Sequence, residues 1–132
     1  MEKPIFDTEF THAHIYYEAP TREKAVRFQQ KIAANFGGRV SVSRLVDRPI
    51  GPHPIPMFEV DLRTEILGEL MPFLDREREG LSILLHPVSD EEVLDHTVRA
   101  KWLGEKLSLD VGFLEDFMAG KVGSVRTDLH KK

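Results

Sequence analysis

The sequence predicts an α+β protein with the ferredoxin-like βαββαβ order, a sandwich of helices on a sheet, followed by C-terminal helical additions. Two amphipathic helical stretches separate short segments in which apolar and polar residues alternate. In this fold the expected strand order is 4-1-3-2, and we expect the first and third strands to be central and parallel. Residues 1–120 are interpreted as one domain, and residues 121–132 as a mobile polar tail.

The first half of the chain supplies two strands and the helix between them. Residues 11–17 alternate as a strand does, and residues 39–46 do the same. Between them, Thr21 is the predicted N-cap of a helix that ends at the glycine pair 37–38. The apolar face of this helix consists of Ala25, Phe28, Ile32 and Phe36. Residues 47–56 contain four prolines and a glycine, which indicates a stiff loop.

The second half supplies two more strands and three helices. The strands are predicted at 57–62 and 81–86, and a helix capped by Thr64 is predicted at 64–79 between them. Pro72 should kink or split that helix. Its inward residues are Leu67, Leu70, Met71 and Leu74. A capping box of Ser89 and Glu92 opens a third predicted helix over 90–104, and a short helix is predicted near 112–119.

Composition excludes several classes of protein. The net charge of −4 argues against non-specific nucleic-acid binding, which needs a cationic surface. The chain has no cysteine, so any metal must be held by histidine, aspartate or glutamate. No apolar run approaches the length of a membrane span, and the first ten residues lack the pattern of a signal peptide. A cytoplasmic protein with no membrane partner is therefore predicted.

Strand alternation places several chemically reactive side chains on one face of the sheet. Since the helices cover the face formed by Ala13, Ile15 and their counterparts, the other face should carry the alternate residues of each strand. Those residues are His12, His14, Tyr16, Met57, Glu59, Asp61, Ser82, Leu84 and His86. His53, from the proline loop, and His96, on the inward stripe of the third predicted helix, are expected to approach this face. Five of the six histidines thus reach one region.

Imidazole and carboxylate together suit Fe(II), Mn(II) or Zn(II). Two histidines and one carboxylate form the facial triad of non-haem Fe(II) oxygenases, which leaves open coordination positions for a chelating substrate and O₂. The remaining histidines would move protons, because imidazole titrates near neutral pH. Each of these residues also has an ordinary structural interpretation, as a solvated or hydrogen-bonded side chain. An uncovered sheet face with Tyr16, Met57 and Leu84 would equally suit a homodimer contact.

Four motifs resemble those of the DOPA 4,5-dioxygenase family of small extradiol-type dioxygenases. They are "HAHIYY", "GPHP" before "MFEVDL", "GLSILLHP" and "DHTVRAKWLG", and they occur in the family's order between about residues 11 and 110. One departure follows "HP" of the third motif, where Val88, Ser89 and Asp90 replace the Thr-Gly more common in the family.

The resemblance implies ring cleavage of a catechol, between carbons 4 and 5 of L-DOPA, with Fe(II) and O₂ (Zn or Mn being possible occupants). The positions that match family histidines are His12, His14, His53, His86 and His96. From the shared sheet face we predict His14, His86 and Glu59 as metal ligands, with His12 as the chief substitute.

The same reading assigns roles to the other residues. His12, His53 and His96 are the predicted acid/base groups, and Tyr16 a substrate contact. Arg44 or Arg48 is predicted to pair with a substrate carboxylate through its fork of N–H donors. The alternative function is a non-catalytic dimeric module that binds a metal or a small molecule.

Overall fold

A five-stranded sheet forms the centre of the protein in the computed structural model, which describes residues 6–120. In sheet order, β2-β3-β1-β4-β5, the strands are Val40–Val42, Met57–Arg63, Phe10–Tyr16, Ile83–Pro87 and Lys101–Leu103. The helices are α1 (Arg22–Phe36), α2 (Leu67–Glu77), α3 (Glu92–His96) and α4 (Val111–Met118). Short 3₁₀ turns, Ala19–Thr21 and Thr64–Ile66, precede α1 and α2. The predicted tail, 121–132, lies outside the described residues.

The predicted α+β class and the strand order 4-1-3-2 are confirmed, and β5 is added beyond β4. The prediction that the two central strands run parallel is wrong, because β1 pairs antiparallel with β3. The physical reason is the chain path. α1 returns the chain so that β2 runs in the direction of β1, and the connection after β2 then reverses it. β3 must therefore oppose β1, and every described strand pair in the sheet is antiparallel.

The helix-covered face holds the main hydrophobic core. Alternate residues of the central strands, such as Ala13, Ile15 and Phe58, pack against the stripe of α1 that the sequence predicts, and all four stripe residues are buried. In α2, Leu67, Leu70 and Leu74 are buried and Met71 is partly buried against the same cluster. Burial of these side chains stabilises the sandwich and leaves the other sheet face for different chemistry.

That other face is covered by the chain itself. Tyr16, Met57 and Leu84 form a second buried cluster with Val46 and Ile50 from the loop between β2 and β3. Partly buried residues that follow α3, among them Trp102 and Leu107, pack against it. The homodimer was predicted from an uncovered sheet face, and this face is buried within one chain. The homodimer therefore stays a prediction, and this face no longer supports it.

The third helix is much shorter than predicted. It ends at His96, and residues 101–103 pair with β4 as the edge strand β5. Two β-branched residues, Thr97 and Val98, follow the helix and disfavour its continuation, while β4 would otherwise expose an unpaired edge. The predicted capping box is also wrong, because the hydroxyl of Ser89 donates to Asp95 Oδ2, at 2.7 Å.

Other local predictions meet mixed outcomes. Thr21 occupies the N-cap position of α1, but its hydroxyl bonds to Glu18 rather than to the helix, and Thr64 bonds to Thr11 instead of capping. Pro72 lies inside α2 and does not split it. β2 ends at Val42, because Ser43 places its hydroxyl, not its carbonyl, opposite the Glu59 N–H at 2.7 Å. Within residues 6–120, no helix has the length and apolar character needed to span a bilayer.

Candidate functional site

Five histidines meet on the sheet face away from α1 and α2. His12 and His14 alternate along β1, and the sheet register pairs His12 with His86 of β4 and His14 with Glu59 of β3. His53 reaches the group from the loop after β2, and His96 from the end of α3. Ring centroids are 4.2 Å apart for His14 and His53, and 3.9 Å apart for His86 and His96. The convergence expected from strand alternation is thus present in the fold.

Three of these histidines form a group that could hold a metal ion. One ring nitrogen from each of His12, His14 and His86 lies within 4.8 Å of the others, and all three side chains are buried. The Nε2 atoms of His14 and His86 are 3.0 Å apart. Two nitrogens about 2.1 Å from one metal ion, and at right angles to each other, lie roughly 3.0 Å apart. The spacing of this pair therefore fits two ligands of a single ion.

The hydrogen bonds of the same rings also fit a metal. His86 Nδ1 donates to the carbonyl of Pro87 at 2.8 Å, since a carbonyl only accepts, and this leaves the lone pair of its Nε2 facing His14. His14 Nδ1 is buried and has no hydrogen-bond partner among residues 6–120. This nitrogen is not the one that faces His86, so a metal held by Nε2 would leave its hydrogen-bonding need unmet.

Glu59 lies beside the histidine group and contacts two of its members. Its Oε1 atom is 3.1 Å from His12 Nδ1 and 4.0 Å from His14 Nε2. The shorter contact brings an imidazole nitrogen within hydrogen-bonding distance of a carboxylate, a pairing that orients metal-binding histidines in proteins. Glu59 is therefore better placed to orient the His12 ring than to act as a third metal ligand beside His14 and His86. A second carboxylate, that of Asp61, lies 3.7 Å from the other ring nitrogen of His12.

His53 and His96 hold their protons differently. The Tyr16 hydroxyl is 2.8 Å from His53 Nδ1. Because no other acceptor within residues 6–120 bonds to this buried phenol, the hydroxyl donates to Nδ1 and the proton of His53 resides on Nε2. His96 Nδ1 donates to the carbonyl of Glu92 at 2.7 Å, which leaves a lone pair on its Nε2. One flanking imidazole is therefore a donor and the other an acceptor.

Burial keeps these groups uncharged. It lowers the pKa of His14 and of His86 well below the ordinary value, and the neighbouring imidazoles lower both further. Burial, with a smaller contribution from His96, lowers the pKa of His53 to about 3. Burial likewise lowers the pKa of His96 and raises that of Tyr16 well above its ordinary value. Neutral imidazoles are the form that binds metals.

A cavity of about 100 Å³ opens beside the five histidines. Its remaining walls are mostly apolar and come from the loop after β2, from β3 and from α4. The lining side chains other than histidine include Ile50, Met57, Glu59, Glu92, Phe113, Leu114 and Phe117. The volume is below the roughly 150 Å³ of a cavity that accepts benzene, so an aromatic ligand requires the half-buried Phe113 or Phe117 to shift.

The structure brings together most of the predicted site residues but not all. His12, His14, His53, Glu59, His86 and His96 line the cavity. Tyr16 is buried beneath His53 and does not line it. Arg44 and Arg48 are exposed and also lie outside the cavity lining, so their role with a substrate carboxylate stays a prediction.

Sequence reasoning missed the wall supplied by α4 and the carboxylate of Glu92. The spacing of Phe113 and Phe117 is helical and predicts an apolar helix face. The local sequence does not indicate which surface of the protein that face covers. Glu92 was interpreted as part of a helix cap, whereas the short α3 turns it toward the cavity.

The chain matches the model of the Dopa 4,5-dioxygenase family over residues 11–113. An uncharacterized 21.2 kDa protein of Botryotinia fuckeliana is 39% identical over 114 residues, covering 77% of this chain and 61% of that protein. The DOPA 4,5-dioxygenase of Amanita muscaria is 30% identical over 119 residues, covering 83% of this chain and 52% of that enzyme. This chain thus spans about half to three fifths of the length of these two curated relatives.

A solved structure supports the same relationship. A candidate dioxygenase from Nostoc punctiforme PCC 73102 superposes with a TM-score of 0.81 and 38% sequence identity. The match covers 89% of this chain and 99% of that protein. The family match spans most of the chain and includes all five histidines of the site. The chain therefore belongs to the Dopa 4,5-dioxygenase family.

Proposed function

We propose that the protein is a metal-dependent dioxygenase that opens the ring of a catechol by extradiol cleavage. The observation that carries the proposal is the group of three buried histidines beside an aromatic-walled cavity. A cavity next to the ligands favours a site with open coordination positions over a closed, purely structural metal site. Family membership and the neighbouring dioxygenase structure support oxygenase chemistry.

The metal would be held by His12, His14 and His86. This differs from the ligand set proposed from sequence, since Glu59 Oε1 lies 3.1 Å from His12 Nδ1 and would orient that ring. A divalent ion such as Fe(II), with Mn(II) or Zn(II) as other occupants that imidazole suits, supplies Lewis acidity and, for iron, the electron transfer that O₂ requires.

The two flanking histidines have proton states that suit opposite roles. His96 presents an unprotonated Nε2, so it is the group that accepts a proton from a catechol hydroxyl. His53 presents Nε2–H, so it donates a hydrogen bond, and later a proton, to oxygen. Tyr16 positions His53 through its hydroxyl and is a positioning residue rather than the predicted substrate contact.

The cavity walls would hold the catechol ring and exclude water. Phe113, Phe117 and Met57 all line the cavity, so a planar ring would contact aromatic and aliphatic side chains once a phenylalanine shifts to admit it. In the overall reaction one C–C bond of the ring breaks and both atoms of O₂ enter the product, which needs no external reductant. L-DOPA as substrate, and a homodimer in solution, stay predictions.

The direct test is oxygen uptake by the metal-loaded protein with a panel of catechols. We expect uptake, a yellow ring-opened product, and a new absorption band when a catechol is added without oxygen. His14→Ala and His86→Ala should lose the band and the activity together while metal-free folding is retained. If no catechol gives either the band or oxygen uptake in the iron-loaded protein, the proposal is wrong.

A further inference from the structure

We infer that Glu92 makes the cavity selective for catechols that carry a positive charge on the ring substituent, an inference that rests on the proposed function. The cavity has a buried end and an exposed end. His14 and His86 form the buried end, with 4% and 2% of their surface exposed. Glu92 forms part of the rim, since 30% of its side chain is exposed.

The shape of a catechol decides which of its parts meets Glu92. The two hydroxyls must face the buried histidines for the proposed chemistry, and the substituent of a 4-substituted catechol lies at the far end of the ring. That substituent therefore lies away from the buried histidines, where the partly exposed Glu92, Phe113 and Phe117 are the lining residues it can meet. The Glu92 carboxylate lies close to the histidine group, with Oε2 at 3.5 Å from His96 Nδ1.

The charges around the cavity favour a cation at this position. Of its lining residues within 6–120, the carboxylates are Glu59 and Glu92, and none is lysine or arginine. Glu59 is buried against His12, so Glu92 is the carboxylate that a substituent can approach. An ammonium group would pair with it and with the faces of the two phenylalanine rings, whereas a carboxylate would meet a like charge.

One nearby cation provides a competing hypothesis. Lys106 lines a separate groove that includes His96 and Trp102. A substituent that turned into that groove would place a carboxylate beside Lys106 and reverse the preference. His96 lines both the cavity and this groove, so the variant at Lys106 tests this direction directly.

The test compares three catechols that differ at one substituent: dopamine, which is cationic, 4-methylcatechol, which is neutral, and 3,4-dihydroxyphenylacetate, which is anionic. The metal-loaded protein is assayed for kcat/KM by oxygen uptake and for anaerobic binding by calorimetry. We expect the order cation, neutral, anion, and a fall of about fivefold in the dopamine-to-anion ratio in Glu92→Gln. Because the ratio is taken on one protein sample, a partial loss of folded protein cancels.

Matched variants separate the possible causes. Glu91→Gln removes a neighbouring carboxylate that pairs with Arg99 and does not line the cavity, so the ratio should not change. An anion bound as well as the cation, or a ratio unchanged by Glu92→Gln, overturns the inference while catechol turnover still supports the proposed function. Preference for the anion that disappears in Lys106→Gln also overturns it.

Two further outcomes distinguish this inference from the proposed function. Charge-ordered binding that depends on Glu92, without oxygen uptake by any catechol, supports the inference and refutes the dioxygenase. Failure of all three catechols to bind the metal-loaded protein overturns both.

Discussion

The choice between Glu59 and His12 as the third metal ligand can be made by measuring metal affinity. Glu59 is fully buried and its Oε1 contacts His12 Nδ1 at 3.1 Å, so its charge can act on the metal through that ring. Removal of a carboxylate that orients a metal-binding histidine costs about 10- to 100-fold in affinity. A four-ligand zinc site contributes about 10–16 kcal/mol, so one ligand is worth roughly 2.5–4 kcal/mol, or about 100- to 1,000-fold.

We therefore expect a larger loss in His12→Ala than in Glu59→Gln when Zn(II) or Fe(II) binding is titrated by competition with a chelator. The affinity losses expected for the two single variants meet near 100-fold, so they do not by themselves separate the two roles of Glu59. The double variant, His12→Ala with Glu59→Gln, separates them. If Glu59 acts through His12, the double variant binds no more weakly than His12→Ala alone. Asp61→Asn, which changes a more exposed carboxylate 3.7 Å from His12, is the matched control and should change affinity by less than about threefold.

Losses that add in the double variant would refute this reasoning and restore Glu59 as a ligand in its own right. The same conclusion would follow if Glu59→Gln alone lost as much affinity as His12→Ala. Each variant is checked for its metal-free circular dichroism and its free energy of unfolding, so that weak binding is not confused with misfolding.

Three other measurements follow from the structure. Tyr16→Phe removes the hydrogen bond to His53 Nδ1, so the ¹⁵N chemical shifts of that ring should change from those of one tautomer to those of a mixture. We also expect kcat to fall about fivefold with little change in KM. An unchanged tautomer would contradict the assignment. Burial lowers the pKa of His53 from about 6.5 in the unfolded chain to about 3 in the folded protein, so the unfolded state binds more protons at acidic pH. His53 alone therefore removes about 1.4 kcal/mol of stability per pH unit from the metal-free protein as pH falls from about 6.5 towards 3, and the other buried histidines add to this slope. Urea unfolding at pH 7, 6 and 5 measures this loss, and His53→Gln should reduce the slope, whereas a flat profile would show the imidazoles to be charged. A side chain at Gly51 would overlap the ring of Phe113, so Gly51→Ala should lower the free energy of unfolding by about 1–3 kcal/mol. Gly68→Ala is the control: a methyl group there meets nothing within 4 Å on an exposed turn of α2, so this change should not lower the free energy of unfolding.

Local patterns were sufficient for the elements that depend on local chemistry. The stripe of α1 and the alternation of β1, β3 and β4 each follow from burial of one face, and a shift of one residue would have exposed the whole set. The helix over 90–104 could not be predicted correctly, because residues 101–103 become a strand only by pairing with the edge of β4. The predicted helix caps were wrong because both hydroxyls bond elsewhere: Ser89 bonds to Asp95, six residues further along the chain, and Thr64 bonds to Thr11 of β1.

The sequence by itself determined the ferredoxin-like order and the presence of His12, His14 and His86 on one sheet face, because strand parity is a local property and burial of the opposite face selects it. Only the tertiary structure decided how those side chains are used. The contact between Glu59 and His12, the donor role of His53 and the wall supplied by Phe113 and Phe117 each join segments far apart in the chain. Such contacts depend on where loops and helices pack against the sheet, and periodicity along the chain carries no information about distances across it.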